Sequence, residues 1–522
     1  TILRRKGRVL DAMSDNVQIL RNQLENKPEA KKLFDEWFSI LQQQSALVSR
    51  EQGKQTPEQY KTRFEKLETE KQRLEAAISN ISAEFRTETF PVELVTIQAK
   101  IPKDAALVEI VQYDPYNAKA KKQDEKWGKS HYAAAVLHYK GVPKLIDLGE
   151  VSAIDESVFN LRKALEARRQ LQPGDDKEQI NIEQVQQLAR ALDKQVMAPI
   201  RPLLGKASHI LLSPDGQLSL IPFETLRDEQ GKYLIQRYAF SYLTTGRDLL
   251  RFESTVSSSS SPLVLADINY DNADVAIATP DNIRGEERHS SDLSNTPCCN
   301  PLPNTKQEAL AIKTFMPNAK VLLDSAATKA ALKQVQAPSV LHIATHGFFF
   351  PDQEKYLRAP SNELDVNSQQ KVLRLENPLL RSGLALAGFN NRNNRNPAPD
   401  PSNDGVLTAL EVAGLNLRGT KLVVLSACET GLGDVKVGDG IYGLRRALII
   451  AGSQSQLFTL WLVSDTASKE LMMKYYQNLK DGKGRHEALR QAQLEMLKTS
   501  YYQHPYFWAS FIPSGNWTPL SS

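Results

Sequence analysis

The chain has 522 residues, a length that predicts more than one folding unit at roughly 100 to 200 residues per domain. Hydrophobic residues make up 41% and charged residues 24%, which excludes a disordered or collagen-like chain and leaves enough apolar material for a sizeable core. The 65 basic and 61 acidic residues give a net charge of +4, so the composition predicts no direct nucleic-acid partner.

Cysteine content and apolar run length bear on the compartment. The three cysteines, Cys298, Cys299 and Cys428, are too few for a disulfide framework in a chain of this length, which favours a reducing, cytoplasmic location. No apolar run approaches the roughly 20 residues needed to span a bilayer, so we expect no membrane association. The first residue is Thr1 and a helical pattern begins at once, so we expect a fragment whose natural N-terminal part is missing.

Residues 1–88 are predicted to form a helical arm. Apolar side chains recur at a 3-4-3-4 spacing from Leu10 to Leu24, and the same rhythm returns from Tyr60 to Phe85, broken only by Lys71. We interpret this arm as the end of an upstream helical repeat region. The alternative is an ordinary helical hairpin without a function of its own.

Two further units follow along the chain. Residues 89–205 combine short β-like runs with two helical stretches, which predicts a small α/β subdomain. In residues 206–522, apolar strands such as Val340–Thr345 and Leu422–Ser426 alternate with amphipathic helices. The pattern predicts an α/β fold, with a mostly parallel sheet that carries helices on both faces. Polar segments at 254–262, 269–304 and 389–404 are predicted to be mobile surface insertions.

Two of the predicted strands end in reactive side chains. One runs out at His346, followed by Gly347, and the other runs out at Cys428. In an open parallel sheet, catalytic groups gather at the carboxyl ends of the strands. A thiol becomes a nucleophile as its thiolate, and a nearby imidazole can take its proton. The sequence therefore predicts a Cys–His dyad if the two strands are neighbours.

These motifs resemble the CHAT domain, a caspase-like domain often found behind tetratricopeptide repeats in bacteria, particularly cyanobacteria. The resemblance rests on Thr-His-Gly at 345–347, Ser-Ala-Cys-Glu-Thr-Gly at 426–431, Gly-Asp-Gly at 438–440 and Leu-Trp-Leu-Val-Ser-Asp at 460–465. It covers about residues 206–518 and implies membership of a clan of cysteine peptidases that includes caspases and separase. It assigns the dyad to His346 and Cys428, and the oxyanion hole to the backbone N–H groups of Gly347 and Cys428.

The leading hypothesis is a cysteine endopeptidase that cleaves a specific protein and is controlled by upstream helical repeats or a regulatory protein. The alternatives are a catalytically silent caspase-like scaffold that binds partners, and a hydrolase acting on small esters. No cofactor and no metal ion are expected, and neither nucleic acid nor membrane is an expected partner.

Substrate recognition is predicted along the strand that ends near Leu462. An extended peptide bound beside this strand would gain backbone hydrogen bonds and contact Trp461. Asp465 follows directly and would attract Arg or Lys at the residue before the scissile bond, and Asp439 is a competing acidic candidate. An aspartate at this place is also an ordinary helix N-cap. His342 and His504 are interpreted as structural histidines.

Overall fold

The computed structural model describes residues 2–6, 28–49, 57–83, 93–120, 122, 126–171, 176–252, 256–271, 299–349, 354–356, 372–374, 378–393, 404–427, 434–436, 440–462 and 464–521. Cys428, Asp439 and the predicted apolar face from Leu10 to Leu24 lie outside these residues. The interiors of the insertions predicted at 269–304 and 389–404 also lie outside them.

The helices are α1 (Ile2–Arg5), α2 (Pro28–Ser49), α3 (Pro57–Ala83), α4 (Leu94–Gln98), α5 (Val151–Ala167), α6 (Asp176–Gln195), α7 (Met197–Ile200), α8 (Asp248–Arg251), α9 (Pro303–Phe315), α10 (Lys329–Lys333), α11 (Ala409–Ala413), α12 (Leu444–Ile450), α13 (Asp465–Lys480), α14 (Arg485–Lys498) and α15 (Pro505–Trp508). The strands are β1 (Ala105–Tyr113), β2 (His131–Leu137), β3 (Lys144–Glu150), β4 (His209–Ser213), β5 (Ala239–Tyr242), β6 (Leu263–Ile268), β7 (Lys320–Asp324), β8 (Val340–Thr345), β9 (Gly347–Phe349), β10 (Glu354–Tyr356), β11 (Val372–Arg374), β12 (Ser382–Ala385), β13 (Val406–Thr408), β14 (Leu422–Ala427), β15 (Asp434–Lys436), β16 (Gly440–Tyr442), β17 (Ser455–Thr459) and β18 (Phe511–Gly515).

A sheet of eleven described strands organises the molecule, in the order β3-β2-β1-β4-β5-β18-β17-β14-β8-β6-β7. Neighbouring strands are parallel except at β3–β2, β2–β1 and β17–β18. The mostly parallel α/β architecture expected from the sequence is confirmed. Its carboxyl edge is the place where side chains from different strands meet.

The burial pattern explains why these segments form strands covered on both faces. Along β1, Ala106, Val108 and Ile110 belong to one buried cluster, and Ala105 and Leu107 belong to another on the opposite side. Successive side chains of a strand point to opposite faces, so two apolar clusters require cover on both. All six residues of β8 are buried, as a continuous apolar run predicts for a central parallel strand.

The sheet runs without a break across the boundary predicted at residue 205, because β1 pairs in parallel with β4. The segment 89–205 therefore contributes three strands to the same sheet that carries β8 and β14. The division at 88 and 205 stays a prediction about folding units.

The helical arm packs on the rest of the chain. Helices α2 and α3 contact each other, and α2 also contacts α11. Trp37, Leu41 and Leu74 join the main apolar core. Lys71, which interrupts the apolar rhythm, is buried and donates to Glu68, whose carboxylate also accepts from Gln44. The polar interruption is thus paired within the hairpin.

The bounds predicted for the insertions at 269–304 and 389–404 include buried residues at their ends. Tyr270 is 2% exposed, Phe389 1% and Asp404 4%, so these residues belong to the core. Asp404 lies 2.9 Å from the buried ammonium of Lys329. The composition of these segments is polar overall, but their first and last described residues have packing and ionic partners that composition does not reveal.

Candidate active site

The two strands that precede the predicted dyad are neighbours. Strands β8 and β14 are parallel, and the last pair in their register joins Thr345 to Ala427. His346 and Cys428 are the next residues of the two strands in the sequence. His346 is described and half-buried, whereas Cys428 lies outside the described residues.

The imidazole of His346 is held by a backbone carbonyl and a tyrosine ring. Its Nε2 lies 2.8 Å from the carbonyl oxygen of Asn300, and the ring of Tyr270 lies 5.2 Å away between centroids. The Tyr270 hydroxyl is 3.0 Å from the hydroxyl of Thr345. Because a carbonyl oxygen can only accept, this geometry assigns the proton of the neutral ring to Nε2. The lone pair of Nδ1 is then the group that can take a proton.

The surroundings of His346 favour its neutral form. Burial lowers the pKa of the imidazole, while the hydrogen bond to Asn300 and the nearby carboxylate of Asp465 oppose this shift. The net direction is downward from 6.5. At neutral pH the ring is therefore mostly uncharged, as a general base must be before it accepts a proton.

Gly347 presents its N–H away from the adjacent ladder. It opens β9, which pairs antiparallel with β12, where Leu384 is the partner of Gly347. Ala385 donates its N–H to the carbonyl of His346, so hydrogen-bonded and non-bonded pairs alternate from that point. The pair that contains Gly347 is a non-bonded one. Its N–H therefore points away from β12, and its role as an oxyanion donor stays a prediction.

A short segment that we call the histidine strap, residues 299–304, connects the elements around His346. Asn390 holds its first residue, since the amide accepts from Cys299 N–H at 2.8 Å and donates to the Cys299 carbonyl at 3.1 Å. The carbonyl oxygen of Asn300 accepts the hydrogen bond from Nε2–H of His346. At the far end, Asn304 N–H donates to a carboxylate oxygen of Asp465 at 3.1 Å.

The sequence offered Asp465 as the N-cap of its own helix, and this alternative is wrong. Ser464 is the N-cap of α13, and its hydroxyl accepts from Ala467 N–H. Asp465 is the first helical residue and accepts from Asn304, in the first turn of α9, where Leu302 provides no side-chain cap. Its carboxylate therefore caps the neighbouring helix, near His346.

Trp461 does not form an exposed wall for a substrate. The ring is 1% exposed and its N–H donates to the carbonyl of Tyr506 at 3.1 Å. A tryptophan with its polar atom satisfied inside the protein is a packing residue. Leu462, the last described residue before position 463, is exposed at 36%.

Leu462 borders a groove of about 500 Å³ between this segment and helix α5. Its apolar lining includes Val158, Phe159 and Tyr506, and its basic lining includes Lys163 and Arg169. Phe159 is one of the most exposed large apolar residues of the described chain, at 64%. Apolar side chains and cations thus share one concave surface at Leu462. The prediction that a peptide pairs with the preceding strand is wrong for β17, because β17 lies between β14 and β18, and Phe458 and Thr459 already pair with β18.

His342 and His504 have the structural roles that the sequence suggested. His342 is fully buried, with Nδ1 2.9 Å from the hydroxyl of Tyr476. His504 caps α15 by accepting from Tyr506 N–H at 3.0 Å. Among the described residues, no group of three or more His, Cys, Asp or Glu side chains is arranged to hold a metal ion. No helix within the same residues has the length and apolarity to cross a bilayer.

Three contributors to the site were not found from the sequence: Tyr270, Asn300 and Asn390. Asn300 acts through its backbone carbonyl, which every residue has, and Asn390 belongs to a polar stretch interpreted as an insertion. Neither has a motif or a periodic position that marks it. Asp439, the competing acidic candidate, lies outside the described residues.

Comparison with sequence families and curated proteins identifies similar chains. Residues 186–516 match the profile of the CHAT domain. Tetratricopeptide repeat protein 28 of Homo sapiens is 26% identical over 331 residues, and its Mus musculus counterpart is 25% identical over 324 residues. Each match covers 61% of this chain and 12% of the relative. The chain thus spans a small part of the length of these relatives.

Among solved structures, the Saccharomyces cerevisiae separase–securin complex includes a similar chain, with a TM-score of 0.43 and 8% identity. That match covers 80% of this chain and 30% of the other. The Arg-specific cysteine proteinase gingipain R gives a TM-score of 0.35 and 9% identity, covering 65% of this chain and 68% of the other.

Proposed function

This chain belongs to the CHAT domain family, and from that premise we propose that it is a cysteine endopeptidase that uses Cys428 as nucleophile and His346 as base. The observation that carries the proposal is the parallel register of β8 and β14. It pairs the residues immediately before His346 and Cys428 on neighbouring strands.

The chemistry follows from the groups around His346. The neutral imidazole, with its Nε2 proton donated to Asn300, takes the thiol proton of Cys428 on Nδ1. The thiolate attacks the peptide carbonyl carbon, and the oxyanion accepts from the N–H groups of Gly347 and Cys428. The imidazolium then returns the proton to the leaving amine, and water hydrolyses the thioester.

A polypeptide substrate is favoured over a small ester by the groove beside Leu462. A peptide that reaches the carboxyl end of β17 would continue into a concave surface of about 500 Å³ at Leu462, whereas a small ester would leave it empty. We propose Asp465 as the group that prefers Arg or Lys before the scissile bond. One of its oxygens is engaged by Asn304, and the carboxylate lies close enough to His346 to influence its pKa.

Control by helical repeats or a partner is the proposed regulatory arrangement. Helix α2 of the arm contacts α11, and Thr408, the N-cap of α11, ends β13 in the sheet that includes β9. The curated relatives are named for tetratricopeptide repeats. A displacement of the arm could therefore be transmitted through α11 and β13 to β9, the strand that begins at Gly347.

The test compares the wild-type chain with Cys428→Ala and His346→Ala. Each chain is incubated with a host lysate and new protein termini are identified by mass spectrometry, and iodoacetamide labelling at neutral pH is measured at each cysteine. We expect both variants to lose cleavage, because the two groups serve one step. His346→Ala should slow labelling of Cys428 by up to about thirtyfold, because an unassisted thiol is still a few per cent thiolate at neutral pH.

His131→Ala is the matched control, since this histidine is half-buried like His346 but pairs with Asp147 on the edge strand β3. It should cleave and label as the wild type does. The scaffold alternative predicts no new termini, and Cys428 labelling that is independent of His346. That result would replace the peptidase proposal.

A further inference from the structure

We infer that Asn390 is a positioning residue for His346, acting through the histidine strap. The inference rests on the proposed peptidase function and adds a residue to it. Among the described residues, the hydrogen bonds of the Asn390 amide go to Cys299 and Asp271 and not to the imidazole. The Asn390 side chain is hydrogen-bonded to the backbone of Cys299. The carbonyl of the next residue, Asn300, accepts the hydrogen bond from His346 Nε2–H.

The hydrogen bonds of Asn390 define the orientation of its amide. The oxygen accepts from Cys299 N–H, while the nitrogen donates to the Cys299 carbonyl and to a carboxylate oxygen of Asp271 at 2.7 Å. The reversed amide would set donor against donor and acceptor against acceptor at these contacts. The side chain thus forms hydrogen bonds with both the N–H and the carbonyl of Cys299, as the backbone of a neighbouring β-strand would.

The position of Asn390 is itself secured by the core. Its backbone N–H donates to the carbonyl of Tyr270, the residue whose ring packs on His346. The preceding residue, Phe389, is 1% exposed. One residue therefore joins the strap, the Tyr270 segment and a buried anchor. Loss of its amide should release the Asn300 carbonyl without removing any group that contacts a substrate.

The consequence for His346 is control of the tautomer. With the Asn300 carbonyl in place, the proton belongs on Nε2 and Nδ1 is the free base. If the strap is displaced, Nε2 loses the Asn300 carbonyl and is hydrogen-bonded to water instead. The proton then distributes between Nε2 and Nδ1. The fraction of rings with Nδ1 ready to accept a proton falls, so the rate should fall more than substrate binding.

The test uses the full chain labelled with ¹⁵N-histidine, and His346→Gln assigns the resonances. We expect the wild type to carry the Nε2–H tautomer and Asn390→Ala to show a mixture. Cys428 alkylation at neutral pH should slow in proportion to the fraction of rings that carry their proton on Nδ1. With a cleaved peptide, kcat should fall and KM should change little.

Asn391→Ala is the matched control, since it removes the amide of the adjacent residue, which donates to the Asp271 carbonyl. It should keep the wild-type tautomer. Asp271→Ala removes the carboxylate that accepts from the Asn390 amide and should give an intermediate mixture of the two tautomers. This variant provides the test if Asn390→Ala does not fold. An unchanged Nε2–H tautomer in folded Asn390→Ala and Asp271→Ala overturns the inference. The tautomer is measured without cleavage, so an inactive wild type would contradict the proposed function and leave this outcome readable.

Discussion

At the scale of single residues, the properties of His346 arise from its neighbours. Burial, a carbonyl acceptor and a nearby carboxylate act on one imidazole in opposite directions, and burial dominates. The same carboxylate, Asp465, also caps α9. Asp465 therefore has both a structural and a proposed chemical role, and variants must separate the two roles.

The lowered pKa of His346 predicts the acid limb of the reaction. The imidazole must be neutral to accept the thiol proton, so a lower pKa extends activity to lower pH. We expect the acid limb of Cys428 alkylation below pH 6.5, the ordinary value for histidine. Asp465→Asn removes a charge that raises this pKa, so it should move the limb further down. An NMR titration of His346 in both chains measures the shift, and a limb above 6.5 would contradict the assignment.

Two substitutions separate the roles of Asp465. Asn retains an oxygen that can accept from Asn304 N–H, so Asp465→Asn should leave the free energy of unfolding nearly unchanged. Asp465→Ala removes this cap and should cost about 1 kcal/mol. Both remove the charge, so both should lose a preference for Arg or Lys in a peptide library. If Asp465→Asn keeps that preference, the carboxylate does not select the substrate.

At the scale of elements, helix ends join parts of the chain that are far apart in sequence. Asp465 at the start of α13 caps α9. His504 caps α15, and its Nε2 lies 3.0 Å from the Asn181 side-chain oxygen on α6. Asn181 donates in turn to the carbonyl of Ala164 on α5. Helices of the segment 89–205 are thereby tied to the C-terminal part of the sheet domain.

The His504 junction predicts a loss of stability in acid. Burial, aided by the charge of Arg168, lowers the pKa of His504 to about 3. The unfolded chain binds a proton near pH 6.5 while the folded chain does not, so stability falls as pH drops from about 6.5 towards 3. At pH 5 this histidine should cost up to about 2 kcal/mol. Protonation would also place a hydrogen on Nδ1, opposite the Tyr506 N–H that it caps.

His504→Asn tests this prediction, because asparagine is a good N-cap and does not titrate. Urea unfolding at pH 7 and pH 5 gives the difference in unfolding free energy for each chain. We expect the variant to lose less stability on acidification than the wild type. An identical loss in both chains would assign the acid sensitivity elsewhere.

At the scale of the whole molecule, the N-terminal segment is part of the sheet domain. The ammonium of Lys6 is buried and donates to the carbonyls of Ile110 and Ser213 at 2.8 Å each. It also lies 3.3 Å from the carboxylate of Glu109, which is fully buried. These acceptors belong to or follow β1 and β4, the strands that join the segment 89–205 to residues 206–522.

Removing the Lys6 charge should destabilise the whole chain. Lys6→Met leaves Glu109 as a buried carboxylate without its cation, and breaking a buried pair from one side costs about 3 to 5 kcal/mol. The double variant Lys6→Met/Glu109→Gln removes both charges and should recover part of the loss. Lys144→Met, at an exposed position on β3, should change stability by less than about 0.5 kcal/mol. Denaturant unfolding checks all three, and a Lys6→Met chain as stable as Lys144→Met would contradict the role of the pair.

The sequence by itself determined the α/β class, the mostly parallel sheet and the positions of His346 and Gly347 at a strand end. Each depends on local patterns: continuous apolar runs, helical periodicity and the Thr-His-Gly motif. Only the tertiary structure decided that the Asn300 carbonyl accepts a hydrogen bond from His346, that the Asn390 side chain bonds to Cys299 and that Asp465 caps α9. These partners are 46, 91 and 161 residues apart. A hydrogen bond requires atoms within about 3 Å, and packing of distant segments brings them there, which no local periodicity records. For the same reason Trp461 was expected at the surface but lies in the core.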